Sequence, residues 1–188
     1  MQPLRNLALP FLLVLLAFPT ARVSAQKSYA IGITAGAAIP TGNFSDGYSK
    51  GMAVTGILAV GVADLPIGLR FDGMYHAFPG RTVTPAGGGA DILTPDLRLW
   101  GLSGNLVITT AGTSAKPYLL GGVGFYNSKV DSAEANSRNN LGFSGGVGST
   151  FNVGPFASVL EVRYHAISRK PEDGGNIHFV PVLLGIMF

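Results

Sequence analysis

The feature that most constrains this chain is an alternation of large apolar residues with small or polar ones, which recurs along most of residues 26–188. A period of two places successive side chains on opposite faces of a β-strand, whereas an amphipathic helix repeats every three to four residues. Eight segments have this pattern, at 29–39, 51–62, 68–78, 96–109, 117–126, 140–151, 156–167 and 177–188. The alternation therefore predicts an all-β fold with eight strands.

The connections between these segments alternate in length. Long connections fall at 40–50, 79–95, 127–139 and 168–176, and short ones at 63–67, 110–116 and 152–155. Antiparallel barrels of outer membranes have long loops at one end and short turns at the other. The spacing predicts an eight-stranded antiparallel up-and-down transmembrane β-barrel with both chain ends on the short-turn side.

The two faces of the predicted strands differ in chemistry. In the first strand Tyr29, Ile31 and Ile33 share one face with further apolar residues, and Gly32 and Thr34 lie on the other. An arginine in the lipid near the membrane midplane costs about 2–4 kcal/mol. Of the two possible orientations of each strand, the one that points its charged side chains into the barrel is therefore favoured. That orientation gives a predicted network of charges in the lumen, formed by Arg70, Asp72, His76, Glu161, Arg163 and His165.

This inward network bears on whether the barrel conducts. The interior of an eight-stranded barrel has room only for side chains or one small ligand. Two acids and two arginines at similar depth can compensate one another and fill space, which favours a structural role over an ion or proton pathway. We predict a filled lumen and no open pore.

Residues 1–25 are predicted to be a secretory signal peptide, with Arg5 before an apolar run at 7–18 and Val23-Ser24-Ala25 at the cleavage point. Residues 26–188 then form the barrel domain. The leader contains two of the 13 basic residues, so the mature chain, with 10 acidic residues, is almost neutral and no nucleic-acid partner is expected. The chain has no cysteine, so no disulfide stabilises it.

Catalytic and metal sites have weak support in the sequence. The three histidines, His76, His165 and His178, have no metal-ligand spacing, and no cofactor is expected. Ser144 or Ser168 with His165 and Glu161 could supply the residue types of a lipid hydrolase, but such groupings are common without catalysis. We predict that the protein is not an enzyme.

Three local features add smaller predictions. Aromatic residues near the strand ends suggest two interfacial girdles, with Tyr29, Tyr118, Phe151, Phe156 and Phe188 on the turn side and Tyr75, Trp100, Phe125, Phe143 and Tyr164 on the loop side. The tripeptides at 75–77 and 164–166 are both Tyr-His-Ala, which suggests a four-strand internal duplication. Pro181 lacks a backbone donor, so a bulge or local irregularity is expected there.

The chain also resembles the outer-membrane protein β-barrel domain family, the small OmpA/OmpX-type barrels, over residues 26–188. The stretches that carry the resemblance are Ile39-Pro40-Thr41-Gly42-Asn43-Phe44, Gly104-Asn105-Leu106, Lys116-Pro117-Tyr118 with the glycine-rich 121–124, Glu161-Val162-Arg163-Tyr164, and the C-terminal 179–188. The resemblance implies an integral barrel of the Gram-negative outer membrane, with roles that include adhesion, envelope stability and host interaction. It also implies that Phe188, Ile186 and Leu184 form the signal read by the assembly machinery.

The leading hypothesis is a structural or surface-interaction protein of the outer membrane. Its expected partners are membrane lipid, periplasmic chaperones and the barrel-assembly machinery during biogenesis, and an extracellular partner reached through the long loops. Two other hypotheses remain at this point. One is the lipid-modifying hydrolase, and the other is a soluble periplasmic ligand-binding barrel of lipocalin type, which would turn its apolar face inward.

The first prediction concerns the C-terminal residue. We expect the intact protein to fractionate with the outer membrane and to migrate anomalously on gels when unboiled. A chain that lacks Phe188 should be degraded or remain in the periplasm, because the terminal aromatic residue of the assembly signal is gone. A protein that is soluble in the periplasm with or without Phe188 would instead point to the lipocalin-type barrel.

Overall fold

A computed structural model describes residues 29–61, 65–83, 89–110, 115–131, 137–153, 156–170 and 175–188. The predicted signal peptide lies outside the described residues, as do parts of all three predicted turns and of three of the predicted loops. The barrel strands are β1 (Tyr29–Pro40), β2 (Gly51–Gly61), β3 (Ile67–Phe78), β6 (Leu97–Thr109), β7 (Ala115–Val130), β8 (Arg138–Val153), β9 (Phe156–Ile167) and β10 (Ile177–Met187). A helix, α1 (Phe44–Gly47), and two short strands, β4 (Thr82–Val83) and β5 (Ile92–Leu93), lie between them.

The eight long strands form one closed antiparallel barrel, in which each strand pairs with the barrel strand before and after it in the chain. β1 and β10 close the circle, in a register that runs from Gly32 opposite Met187 to Pro40 opposite Phe179. Phe188 continues this seam, because its amide and carbonyl groups bond those of Ile31 at 2.7 and 3.1 Å. The predicted eight-stranded up-and-down barrel is confirmed.

The period of two appears as a difference in burial between the two faces. In β3, Leu69 and Phe71 are exposed on the outer surface, whereas Arg70 and Asp72, which alternate with them, are buried. β9 has the same pattern, with Glu161, Arg163 and His165 inward. The phase predicted for these two strands is therefore the observed one.

The end of the barrel with the long connections has structure that the alternation did not reveal. In the first loop, α1 lays Phe44 across the mouth, where it is buried against Phe78 with ring centroids 5.1 Å apart. The second loop contains the β4–β5 hairpin, in which Thr82 pairs with Leu93 and Val83 with Ile92. None of the helices in the described ranges is long and apolar enough to cross a membrane.

Three sequence predictions need correction or refinement. Tyr118 does not belong to an interfacial girdle, because its side chain points into the barrel and is buried. The predicted loop at 127–139 is shorter, since β7 continues to Val130 and β8 begins at Arg138. At Pro181 the expected local irregularity is a lapse in the pairing with β9 and not a bulge, because Phe179–His165 and Val182–Val162 on either side share one register.

The second prediction tests the close approach of strands at the barrel seam. A methyl group on Gly185 would collide with the carbonyl oxygen of Ile33 and lie 2.6 Å from the Cα of Thr34. We expect Gly185→Ala to lower the free energy of unfolding by about 1–3 kcal/mol, because β1 and β10 must separate to admit it. Urea titration, followed by the gel mobility of the unboiled protein, measures this loss.

Gly56→Ala is the matched control for that substitution. Gly56 lies on the outer face of β2, where the one neighbour of an added methyl group within 4 Å is the Gly73 oxygen at 3.9 Å. The control should therefore unfold at nearly the wild-type urea concentration. Equal effects of the two substitutions would show that the seam is not tightly packed at Gly185.

Candidate functional site in the barrel interior

Four charged side chains form a closed ring inside the barrel. Arg70 binds Asp72 at 2.7 Å and Glu161 at 2.6 Å, and Arg163 binds the same two carboxylates at 2.8 Å each. Acid and base alternate around the ring, and each of the four residues is at most 4% exposed. The charges of the ring sum to zero, so each buried ion has two partners of opposite sign.

Two rules of strand geometry place these groups. Residues two apart on a strand share a face, which puts Arg70 beside Asp72 on β3 and Glu161 beside Arg163 on β9. β3 and β9 are separated by three strands in each direction around the barrel and so lie across the lumen from each other. Each arginine reaches both the acid on its own strand and the acid opposite.

Neutral side chains complete the hydrogen bonding of the two carboxylates. The Tyr118 hydroxyl donates to Glu161 at 2.6 Å, and the Asn105 amide donates to Asp72 at 3.0 Å. Ser144 in turn donates to the Asn105 side-chain oxygen at 3.3 Å. A buried ionic network stabilises a fold only when its remaining donors and acceptors are also satisfied, so these residues belong to the site.

Tyr118 and Asn105 were missed as members of the site from the sequence alone. Tyr118 stands near the start of its strand, where an aromatic residue fits an interfacial girdle equally well. The sequence did contain a signal for the inward orientation of this side chain. Tyr118 lies an even number of residues from Gly122 and Gly124, so all three share the inward face of β7.

The two histidines lie next to the ring but not in it. The rings of His76 and His165 are 5.7 Å apart, and both contact Phe179 with centroids at 4.7 Å. His165 Nδ1 pairs with the Tyr126 hydroxyl at 2.9 Å, whereas neither ring nitrogen of His76 has a hydrogen-bond partner in the described part of the chain. The six predicted residues therefore separate into a ring of four ions and a pair of histidines.

Apolar side chains lie on both sides of the charged ring. The larger group, which we call the loop-side seal, consists of Ala38, Phe44, Ala53, Met74, Phe78, Leu97, Leu99, Tyr126, Ile167, Ile177, Phe179 and Leu183. The smaller turn-side seal consists of Tyr118, Leu120 and Val159, with Val107 and Met187 packed against it. The ions thus lie between two apolar clusters.

Tyr48 packs against the outer edge of the loop-side seal, with its ring centroid 4.7 Å from that of Phe44. Burial raises the pKa of the Tyr48 hydroxyl above its ordinary value of 10.0; nearby Arg169 lowers it and Asp96 raises it. The hydroxyl is therefore neutral at physiological pH, and the rim of the seal carries no charge at this position.

The residues weighed for hydrolysis do not form a catalytic relay. Ser144 and His165 are directly paired on β8 and β9, but their side chains bond Asn105 and Tyr126. Glu161 is held by the two arginines and Tyr118, and Ser168 lies exposed beyond the end of β9. Across the described ranges, no group of three or more His, Asp or Glu residues is placed to hold a metal ion.

No family model matches the sequence, and a comparison with curated proteins finds no match. Solved structures do match. Neisserial surface protein A aligns with a TM-score of 0.64 at 17% identity over 86% of this chain and 97% of that one. The chain has the fold of a small outer-membrane β-barrel.

Two Pseudomonas aeruginosa structures with this fold are also similar. The N-terminal β-barrel domain of OprF aligns with a TM-score of 0.53 at 12% identity, covering 87% of this chain and all of that one. The outer membrane protein OprG gives 0.54 at 12% identity, over 87% and 98% of the two chains. At these identities, the comparisons show that the small outer-membrane barrel fold is shared.

The third prediction tests the ionic ring. Arg163→Met leaves two buried carboxylates with one arginine, so we expect the free energy of unfolding to fall by about 3–5 kcal/mol. The double variant Glu161→Gln/Arg163→Met should recover part of the loss, because Arg70 and Asp72 remain as a neutral pair. Urea titration in detergent measures the free energy of unfolding of the wild-type protein and of both variants.

Arg98→Met serves as the control for the ring substitution. Arg98 pairs with Asp131 at 2.7 Å at the exposed end of the barrel, and such surface pairs contribute about 0.2–1 kcal/mol. Equal losses from Arg163→Met and Arg98→Met would mean that the ring adds no more to stability than a surface ion pair.

Proposed function

We propose that the protein is a non-conducting β-barrel of a Gram-negative outer membrane with a structural or surface-interaction role. In the proposed orientation the loop end faces the exterior, and the short turns and the two chain ends face the periplasm, as is usual for such barrels. The observation that carries the proposal is the charge-balanced ring across the interior, which has an apolar cluster on each side.

The outer surface of the barrel supports insertion in a membrane. Large apolar side chains cover it from end to end, and Leu102 and Phe125 are each 70% exposed. Water-soluble monomers rarely expose continuous apolar patches larger than a few hundred Å². In lipid the same surface has no such cost, and the closed sheet leaves no unpaired strand edge.

The interior supports the absence of a pore. An ion that entered from the loop end would first meet Phe44, Phe78 and Phe179, which are all buried in the loop-side seal. It would then meet a ring whose charges are already paired at 2.6–2.8 Å. Neither layer offers an ion a replacement for its hydration shell, so entry is unfavourable.

The loop end supports a role in surface interaction. The β4–β5 hairpin stands beyond the barrel strands, and its Ile92 and Leu93 are 61% and 71% exposed. An apolar hairpin on the exterior side could contact an extracellular partner, while the rigid barrel anchors it. At the opposite end, Phe188, Ile186 and Leu184 remain the proposed signal for the assembly machinery and its chaperones.

The other two hypotheses have less support. A lipocalin-type barrel needs a polar outer face, whereas the exposed face of this barrel is apolar. A lipid-modifying hydrolase needs a serine, a histidine and an acid in mutual contact, whereas His165 and Glu161 bond other groups.

The fourth prediction tests the filled lumen. In planar bilayers, we expect the folded wild-type protein to give no discrete conductance steps. The double variant Phe179→Ala/Arg163→Ala removes bulk from the loop-side seal and from the ring, so it should pass a measurable current. Phe125→Ala, on the lipid face, is the matched control and should remain silent.

Heat-modifiable gel migration establishes that each protein is folded before the conductance is recorded. Regular conductance steps from the folded wild-type protein would show that the lumen is open, and the proposed non-conducting role would then be wrong. A folded double variant that stays silent would show that other side chains block the lumen.

A further inference from the structure

We propose that Arg98 and Lys129, with the apolar cleft below them, form a binding site for an anionic acylated lipid of the surrounding leaflet. The phosphate of the headgroup would lie on the two basic side chains, and an acyl chain would fill the cleft. This inference rests on the proposed insertion of the barrel in a membrane. It goes further by naming the class of lipid that one site on the outer face would bind.

The first observation is the distribution of charge on the outer face. Among the described residues of the eight barrel strands, Arg98 on β6 and Lys129 on β7 are the only charged side chains in outward phase. They are also direct cross-strand partners. Both are positive, and both lie near the loop end, where a headgroup plane would be.

The second observation is that only one member of this pair, Arg98, has a carboxylate partner within the described residues. Like charges directly opposite each other on a sheet are destabilising. Asp131 binds Arg98 at 2.7 Å, with both side chains substantially exposed, and Asp96 accepts the Gly80 amide at 2.9 Å. No carboxylate among the described residues pairs with Lys129, so an anion from outside the chain would relieve the repulsion.

The third observation is the apolar cleft directly below the basic pair. This open groove has a volume of about 600 Å³, and its lining includes Gly73, Tyr75, Trp100, Leu102 and Phe125. Gly73 faces open space, because an added methyl group would meet Leu102 at 3.7 Å and no backbone atom within 4 Å. A cleft of this size is within the range of small-molecule sites.

The order of these groups along the barrel matches the order of groups in such a lipid. Arg98 and Lys129 form the outward pair nearest the loop end, the next outward pair is Trp100 and Asn127, and the one after it is Leu102 and Phe125. Asn127 bonds Asn139 at 2.7 Å, and the Trp100 ring lies against Tyr75 with centroids 4.4 Å apart. Basic residues attract anionic headgroups, and Trp and Tyr favour the membrane interface. Phosphate, polar linkage and acyl chain would meet basic, amide and apolar groups in turn.

Trp100 makes this site directly measurable, because it is the only tryptophan in the chain. The protein is reconstituted in phosphatidylcholine vesicles that contain either dibrominated phosphatidylglycerol or dibrominated phosphatidylcholine, whose bromines quench tryptophan on contact. We expect the anionic lipid to quench Trp100 with an apparent affinity roughly fivefold higher than the neutral lipid. Arg98→Gln/Lys129→Gln should bring that ratio close to one.

The control variant is Lys50→Gln/Lys116→Gln, which removes the same charge at exposed positions away from the cleft. It should keep the wild-type ratio, and heat-modifiable migration shows that every variant is folded. Equal quenching by the two lipids in the wild-type protein would overturn the lipid site while leaving membrane insertion intact.

Two further outcomes would also overturn the proposal. If neither brominated lipid quenches Trp100 and the protein stays outside the vesicles, membrane insertion itself is wrong and the proposed function fails with it. If neither lipid quenches Trp100 in an inserted protein that crosslinks as a dimer, the cleft is covered by a second copy of the chain.

Discussion

The ionic ring across the lumen is the interaction on which the rest of the structure depends. Arg70 and Asp72 meet Glu161 and Arg163 only if β3 and β9 both turn these residues inward. A slip of one residue in either strand would move two charges to the lipid face, where an arginine costs about 2–4 kcal/mol at the midplane. The ring thus fixes the phase of two opposite strands, and the intervening strands must follow in register to close the barrel.

The same ring explains the layers above and below it. Paired ions are stable when water does not compete for them and when every remaining acceptor is satisfied. Tyr118 serves both needs, since its hydroxyl binds Glu161 and its ring belongs to the turn-side seal. At the other side, Phe179 contacts both histidines and Phe78. The polar and apolar layers are therefore packed against each other, and a substitution in one layer should alter the packing of the other.

The sequence predicts the barrel well because its signal is local. Alternation in β3 and β9 is visible residue by residue, and the cost of charge in lipid chooses between the two phases. The structure at the loop end is not predicted by this alternation. α1 spans only four residues and depends on Phe44 packing into the mouth, and β4 and β5 contribute two residues each. Such elements are stabilised by tertiary contacts and leave no periodic pattern. Tyr118 shows a related difficulty, because an aromatic residue at a strand end suits both the interface and the lumen.

If the lumen is closed as proposed, two surfaces are left for specific contacts, namely the loop end and the outer face of the barrel. The loop end projects apolar side chains such as Leu93, which lipid does not cover in the proposed orientation. The outer face is almost uniformly apolar, so general lipid would satisfy it equally at all positions. Arg98 and Lys129 break this uniformity at one place, and they do so as direct partners above a cleft. Charge at one position on such a surface selects among lipids by headgroup, which a uniform apolar surface cannot do.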